Sequence, residues 1–237
     1  MSYSLNHPSA EEPLIVGRNL TKHYRRGSET VRALDGVDLS VATGEMIAIV
    51  GPSGSGKTTL VNTVACLDAP TEGSLIINGI DTRGLSEDAL VAIRRGFFGF
   101  VFQKFYLLPT LSVAENVELP LLFLRRNPSR RTTLALLETL EIASRADHLP
   151  RELSGGQMQR VAIARALIVK PKVLIADEPT GNLDSATSDS IFDLFEDLSH
   201  QGLSIMVTTH NLPLAYRASR VVTLQDGKIV KEESRKG

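Results

Sequence analysis

The octapeptide Gly51-Pro52-Ser53-Gly54-Ser55-Gly56-Lys57-Thr58 stands between an apolar run, Met46 to Val50, and an amphipathic helical pattern carrying Leu60, Val61, Val64 and Leu67. Its glycines let backbone N–H groups turn inward around phosphates, while Lys57 can reach the outer phosphates and the Thr58 hydroxyl can ligate Mg²⁺. Thr59, the next residue, belongs to the same phosphate-binding set. Strand, glycine loop and helix in that order require an α/β sheet, because the loop must lie beyond the carboxyl end of its strand.

Three further apolar runs share that placement: Phe97 to Phe102, Val173 to Ala176 and Ser204 to Thr208. Each leads at once into polar residues, namely Gln103, Asp177-Glu178 and Thr209-His210. In open α/β sheets ligands bind beyond the carboxyl ends of the strands, so all four sets can converge on one crevice. Leu14 to Leu20, Val37 to Val41, and Leu75 to Ile77 before an Asn78-Gly79 turn predict an antiparallel sheet beside this core. Val221 to Leu224, Asp226-Gly227, Ile229 and Val230 predict a structural hairpin near the end.

Between Leu107 and Arg151 the pattern is helical, with capping-box spacing at Ser112 and Glu115 and a helical period at Leu134, Leu137 and Leu140 or Glu141. A helical subdomain inserted into the α/β core is expected there, with Arg125, Arg126, Arg130 and Arg131 on a solvated loop broken by Pro128.

Two acids would be costly inside a strand but not at its mouth. Asp177 is placed to hold Mg²⁺, and Glu178 to take a proton from an attacking water. His210 can donate to a γ-phosphate or hold the Glu178–water geometry, and the Gln103 amide oxygen can touch Mg²⁺ or the water. His7, His23, His148 and His200 have no comparable context.

A second glycine-opened helix start lies far downstream at Leu153-Ser154-Gly155-Gly156-Gln157. Ser154 is a natural N-cap, and Gly155 and Gly156 bare the first backbone N–H groups to a phosphate. One helix terminus gives an anion only ~0.3–2 kcal/mol, which suits an interface that forms with nucleotide and opens without it. The two starts together point to ATP clamped between two copies of the chain. Tyr24 can stack on adenine, although its spacing alone favours a surface or packing tyrosine.

The 26 basic and 27 acidic residues leave no net basic field, so nucleic acid is not an expected partner. The single cysteine, Cys66, excludes an internal disulfide and reads as a small core hydrophobe on the helix after the loop. No apolar run approaches the ~18 residues of a membrane span, and Met1 to Pro13 is polar. The expectation is a cytosolic chain whose membrane role comes through a partner.

These motifs closely resemble the ATP-binding cassette (ABC) ATPases over nearly the whole chain. In that family's terms Gly51 to Thr58 is the Walker A motif, Val173 to Asp177 with Glu178 the Walker B and catalytic glutamate, and Leu153 to Gln157 the signature. Gln103 matches the Q-loop, Gly181-Asn182-Leu183-Asp184 the D-loop, His210 the switch histidine and Tyr24 the adenine-stacking aromatic. The resemblance implies a P-loop (RecA-like) core with a mostly parallel sheet, an antiparallel β subdomain and an inserted helical subdomain. The single domain would place the first two at about 12–104 and 165–237 and the helices at about 105–164.

It also implies MgATP hydrolysis in a head-to-tail homodimer, and a membrane permease docked near Gln103. Phe105, Tyr106, Leu107 and Leu108 could serve that contact or the core. Cys66 to Gly73, Asn116 to Pro120 and Asp177 to Asp184 look like the lipoprotein-releasing and macrolide-exporting group. Two residues depart from the usual pattern: Asn211 stands where aspartate is frequent, and Met158 where glutamine is. A soluble ABC ATPase of DNA repair or translation is the alternative, but the chain lacks a long coiled coil and a second cassette. A GTPase is disfavoured because no Asn-Lys-x-Asp string occurs.

Overall fold

Two sheets organise the chain. In order it forms β1 (Ile15–Arg26), β2 (Glu29–Val41), β3 (Met46–Val50), α1 (Lys57–Val64), β4 (Glu72–Ile77), β5 (Ile80–Asp81), α2 (Glu87–Arg94) and β6 (Phe98–Phe102). Three helices follow, α3 (Val113–Phe123), α4 (Arg130–Thr139) and α5 (Gly155–Leu167). The chain then returns through β7 (Val173–Asp177), α6 (Ser185–His200), β8 (Ser204–Thr208), α7 (Leu212–Ala215), β9 (Arg220–Gln225) and β10 (Lys228–Ser234). The computed structural model describes residues 13–27 and 29–235; the polar opening through residue 12, including His7, lies outside them.

The larger sheet has the order β10-β9-β3-β8-β7-β6, parallel except where β10 turns back on β9. Every residue of β3 and β8 is buried, and strands buried on both faces carry continuous apolar runs. Alternation within β3 divides the core. Met46, Ala48 and Val50 join Val161 of α5 and Ile191, Phe192 and Phe195 of α6. Ile47 and Ile49 face Leu60, Val61 and Val64 of α1 together with Ile15, Leu20 and Leu75 of the smaller sheet. Each large side chain so buried contributes about 1.5–3 kcal/mol.

The smaller, antiparallel sheet has the order β2-β1-β4-β5. Its long hairpin exceeds the apolar runs that marked it, because the distal half of β1, Lys22-His23-Tyr24-Arg25, is polar and is held by backbone pairing to Leu34, Arg32, Val31 and Thr30. Tyr24 therefore lies on a strand.

Helix α1 is shorter than its apolar pattern. Cys66 takes a left-handed φ of 56°, its N–H bonds to the Thr63 carbonyl, and the Leu67 N–H reaches back to Asn62. That is a Schellman cap without its usual glycine. Cys66 is buried as expected, and burial pushes its thiol up to about 11, but Leu67 is exposed beyond the helix.

Arg125 and Arg126 follow α3, whereas Arg130 and Arg131 form the first turn of α4 rather than a loop; all are exposed, and Arg130 pairs with Asp147. Ser112 caps α3 through the capping box with Glu115. Helix α5 runs unbroken through residue 164, linking two regions. Arg160 donates to the Leu140 carbonyl just beyond α4, while the Ala166 carbonyl is close enough to Gly99 of β6 that a Cβ there would lie 2.8 Å away.

Candidate active site

The loop between β3 and α1 is shaped by close backbone approaches. A Cβ on Gly51 would lie 2.1 Å from the Leu224 carbonyl oxygen, and one on Gly56 2.3 Å from that of Ala33. The Gly227 N–H donates to the Ser55 carbonyl at 3.0 Å. The C-terminal hairpin, expected to be only structural, thus braces this loop, and Asp226 at its tip lines the pocket. Ser55 Oγ is buried without a hydrogen-bond partner among the described residues.

The loop opens onto a pocket of about 820 Å³ lined by Ser53, Gly54, Gly56, Lys57, Thr58, Thr59, Gln103, Glu178 and His210. Its size falls within the ~300–1,000 Å³ of small-molecule sites. Lys57 is only 9% exposed. Its ammonium donates to the carbonyls of Gly51 at 2.9 Å and Pro52 at 3.1 Å, and lies 4.0 Å from Glu178 Oε1. A buried cation held by loop carbonyls can transfer to phosphate oxygens, which make stronger charge-assisted bonds.

Behind Lys57, the Thr58 hydroxyl donates to Asp177 Oδ2 at 3.2 Å, and the Thr208 hydroxyl donates to Asp177 Oδ1 at 2.6 Å. The hydroxyl of Thr58 and carboxylate of Asp177 form a hard-oxygen pair fit for Mg²⁺. Glu178 has a left-handed φ of 49°. Its N–H is held by the Thr208 hydroxyl at 2.9 Å and the Thr208 carbonyl at 3.2 Å. A non-glycine residue persists in this region only where surroundings over-determine it; here it turns the Glu178 carboxylate into the pocket, 2.8 Å from His210 Nδ1.

Gln103 reaches the pocket from the end of β6. Its side-chain amide lies against Gly181, where a Cβ would meet Nε2 at 2.6 Å, and its backbone carbonyl accepts from Asn182 Nδ2 at 3.0 Å. Just beyond, Arg165 of α5 donates to the carbonyls of Phe105 and Tyr106, both at 2.6 Å. Asn211 caps α7, its Oδ1 accepting from the Leu214 N–H at 3.3 Å; aspartate and asparagine cap equally well, so this departure preserves the cap. Met158 is half-buried against the core.

The remaining expected residues stand apart from this pocket. Ser154 caps α5 and accepts from the Gln157 N–H at 3.3 Å, while Gln157 Oε1 accepts from the Ser154 N–H at 2.9 Å. None of Ser154 to Gln157 lines the pocket around Lys57. Their glycines also serve packing: a Cβ on Gly156 would lie 2.5 Å from Thr187 Cγ2, and one on Gly155 3.3 Å from Leu183 Cδ2. Tyr24 sits on β1 with 39% of its surface exposed, and its hydroxyl donates to Asp68 Oδ2 at 2.6 Å.

Sequence reasoning missed Thr208, which holds both acids, as well as Arg32 and Ala33 of β2 and Asp226, which line the pocket. Position at the last residue of a strand was the one available signal for Thr208. This arrangement can bind a triphosphate, seat a divalent cation between Thr58 and Asp177, and hold a carboxylate ready to accept a proton.

The ABC transporter family matches residues 34–181. The chain is 46% identical over 231 residues to an uncharacterized ABC transporter ATP-binding protein, MJ0796 of Methanocaldococcus jannaschii, covering 94% of this chain and 98% of that one. It is also 46% identical over 226 residues to the macrolide export ATP-binding/permease protein MacB of Hyphomonas neptunium. There it covers 94% of this chain but spans only 35% of the relative's length. A dimeric structure of the MJ0796 cassette in a post-hydrolysis state with ADP and Pi superposes with a TM-score of 0.86 at 44% identity, covering 94% of this chain and 99% of that one.

Proposed function

This chain belongs to the ABC transporter ATPases, and from that premise we propose that it binds MgATP in a head-to-tail homodimer and couples its hydrolysis to a membrane permease. The carrying observation is the separation of two phosphate-binding elements. Lys57, Thr58, Asp177 and Glu178 meet in one pocket, whereas the capped start of α5 is not among the residues lining it. A second copy supplies the missing side of the pocket, and the dimeric structure known for MJ0796 supports that arrangement.

Within each pocket, Lys57 leaves the loop carbonyls for the outer phosphates, while Tyr24 stacks on the adenine. Thr58 and Asp177, with Gln103 beside them, would hold Mg²⁺, which would supply neutralisation of the phosphate charge. Glu178 takes the proton of the attacking water, and His210 orients Glu178. The trans contact places Ser154 and the first N–H groups of α5 on the phosphates of the partner's nucleotide.

The permease docks along β6, the edge strand of the larger sheet, where Phe98, Phe100, Phe102, Tyr106 and Pro120 line an apolar groove. Phe123 beside it is 70% exposed. Of the segment after Gln103, Tyr106 and Leu108 are exposed and Leu107 packs into the core. Among the described residues no helix is long and apolar enough to cross a membrane. In this reading the permease holds the chain at the inner face of the cell membrane, in a system of the macrolide-export or lipoprotein-release type.

Ser154→Asp tests the dimer. Aspartate caps a helix as well as serine, so α5 keeps its start, but the added charge opposes a phosphate across the interface. Calorimetry should show unchanged ATP binding by the monomer, while light scattering should show loss of ATP-dependent dimers in a Glu178→Gln background. Dimers persisting undiminished in the double variant would rule out the trans contact.

A further inference from the structure

Asp68 lies in the loop that follows α1, outside the sequence motifs assigned to nucleotide chemistry. One carboxylate oxygen, Oδ2, accepts from the Tyr24 hydroxyl at 2.6 Å. The other, Oδ1, accepts from the Lys22 ammonium, which also donates to the Ala69 carbonyl at 2.6 Å. The same ammonium sits 5.3 Å from the centroid of the Tyr24 ring, within reach of a cation–π attraction. Lys22 thus lies over one face of the ring, while 39% of the tyrosine's surface stays exposed.

The loop bearing Asp68 is fixed at both ends. Leu67 and Asp68 donate their N–H groups to the Asn62 carbonyl in the last turn of α1. The Thr71 N–H donates to the Thr21 carbonyl, and the His23 N–H to Thr71 Oγ1 at 3.1 Å. Helix α1 begins at Lys57, so one short rigid segment joins the phosphate cradle to the strand carrying Tyr24. Burial pushes the Asp68 carboxyl up, but the bonds from Lys22 and Tyr24 outweigh it and hold it below the usual carboxylate range. Burial and the neighbouring carboxylate raise the Tyr24 phenol. Asp68 is the acceptor and Tyr24 the donor.

We infer that Asp68 is a positioning residue for nucleotide binding, locking the half-exposed Tyr24 ring in one orientation relative to the P-loop before ATP arrives. The inference rests on the reading of Tyr24 as the adenine platform. Left free, an exposed tyrosine on a strand would rotate about its side-chain bonds, and ordering it on binding would weaken affinity. Asp68 removes that loss by fixing the ring in advance.

The test compares Asp68→Ala, Asp68→Asn, Tyr24→Phe, Tyr24→Ala and the Asp68→Ala/Tyr24→Phe pair by calorimetry on the full chain. Each is titrated with MgATP and with Mg-tripolyphosphate, which has no base. Asp68→Ala and Tyr24→Phe should each weaken MgATP binding about 2- to 10-fold, and the pair should be no weaker than either alone. Asp68→Asn, which keeps an acceptor for the phenol, should restore most of the affinity. Tripolyphosphate binding should not move, and in turnover the loss should fall on KM more than on kcat.

Equal weakening of tripolyphosphate, additive losses in the pair, or unchanged MgATP affinity in Asp68→Ala would each overturn the inference. Should Asp68→Ala fail to fold, Tyr24→Phe decides alone, and unchanged MgATP affinity there is fatal. Tyr24→Ala separates the two levels. If it leaves MgATP affinity untouched, the adenine reading itself fails; if it weakens binding while Asp68→Ala does not, only the role of Asp68 fails.

Discussion

Glu178→Gln is expected to lower kcat by about 10²–10⁴-fold, the usual worth of a general base, or about 3–5 kcal/mol of barrier. Glutamine has nearly the same shape and can keep the contact to His210, now 2.8 Å from the Glu178 carboxylate. The backbone N–H remains held by Thr208. What the substitution removes is the capacity to accept a proton from water. ATP affinity should change little, so ATP-bound dimers should accumulate and elute at twice the monomer mass. Turnover near that of the unaltered protein would take the role of base away from Glu178. His210→Ala, which leaves the carboxylate in place, should cost less.

Lys57→Ala is expected to raise the MgATP dissociation constant by about 10²-fold, since a hydrogen bond to a charged group contributes roughly 1.5–3 kcal/mol. Lys57 also donates to the Gly51 and Pro52 carbonyls, so thermal melts must accompany calorimetry to separate a slackened loop from a lost phosphate contact. Lys57→Arg keeps the charge but brings a wide planar fork into a cradle formed around a point charge; binding should remain impaired. An unchanged dissociation constant in Lys57→Ala, with a normal melt, would contradict the phosphate-cradle role.

The strands that carry chemistry were legible because β3, β7 and β8 are buried on both faces and so leave continuous apolar runs ending in polar residues. Other features left no such trace. The outer half of β1 has charged and polar side chains, and pairing with β2 alone makes it a strand. The end of α1 depends on Cys66 adopting a left-handed conformation, a role the sequence usually announces with glycine. Gly155 and Gly156 were read for their N–H groups, yet Gly156 is also required by the proximity of Thr187 on another helix.

By itself the sequence determined the phosphate chemistry, the α/β class and the places of the main strands along the chain, because those depend on residue type and on spacing between near neighbours. Tertiary structure decided what holds the chemistry in place: Thr208 gripping Asp177 and Glu178, Gly227 bracing Ser55, and Asp68 bonded to Tyr24. Each of these joins segments far apart along the chain through ordinary residue types. Only the backbone path fixes which threonine, glycine or aspartate comes within hydrogen-bond reach.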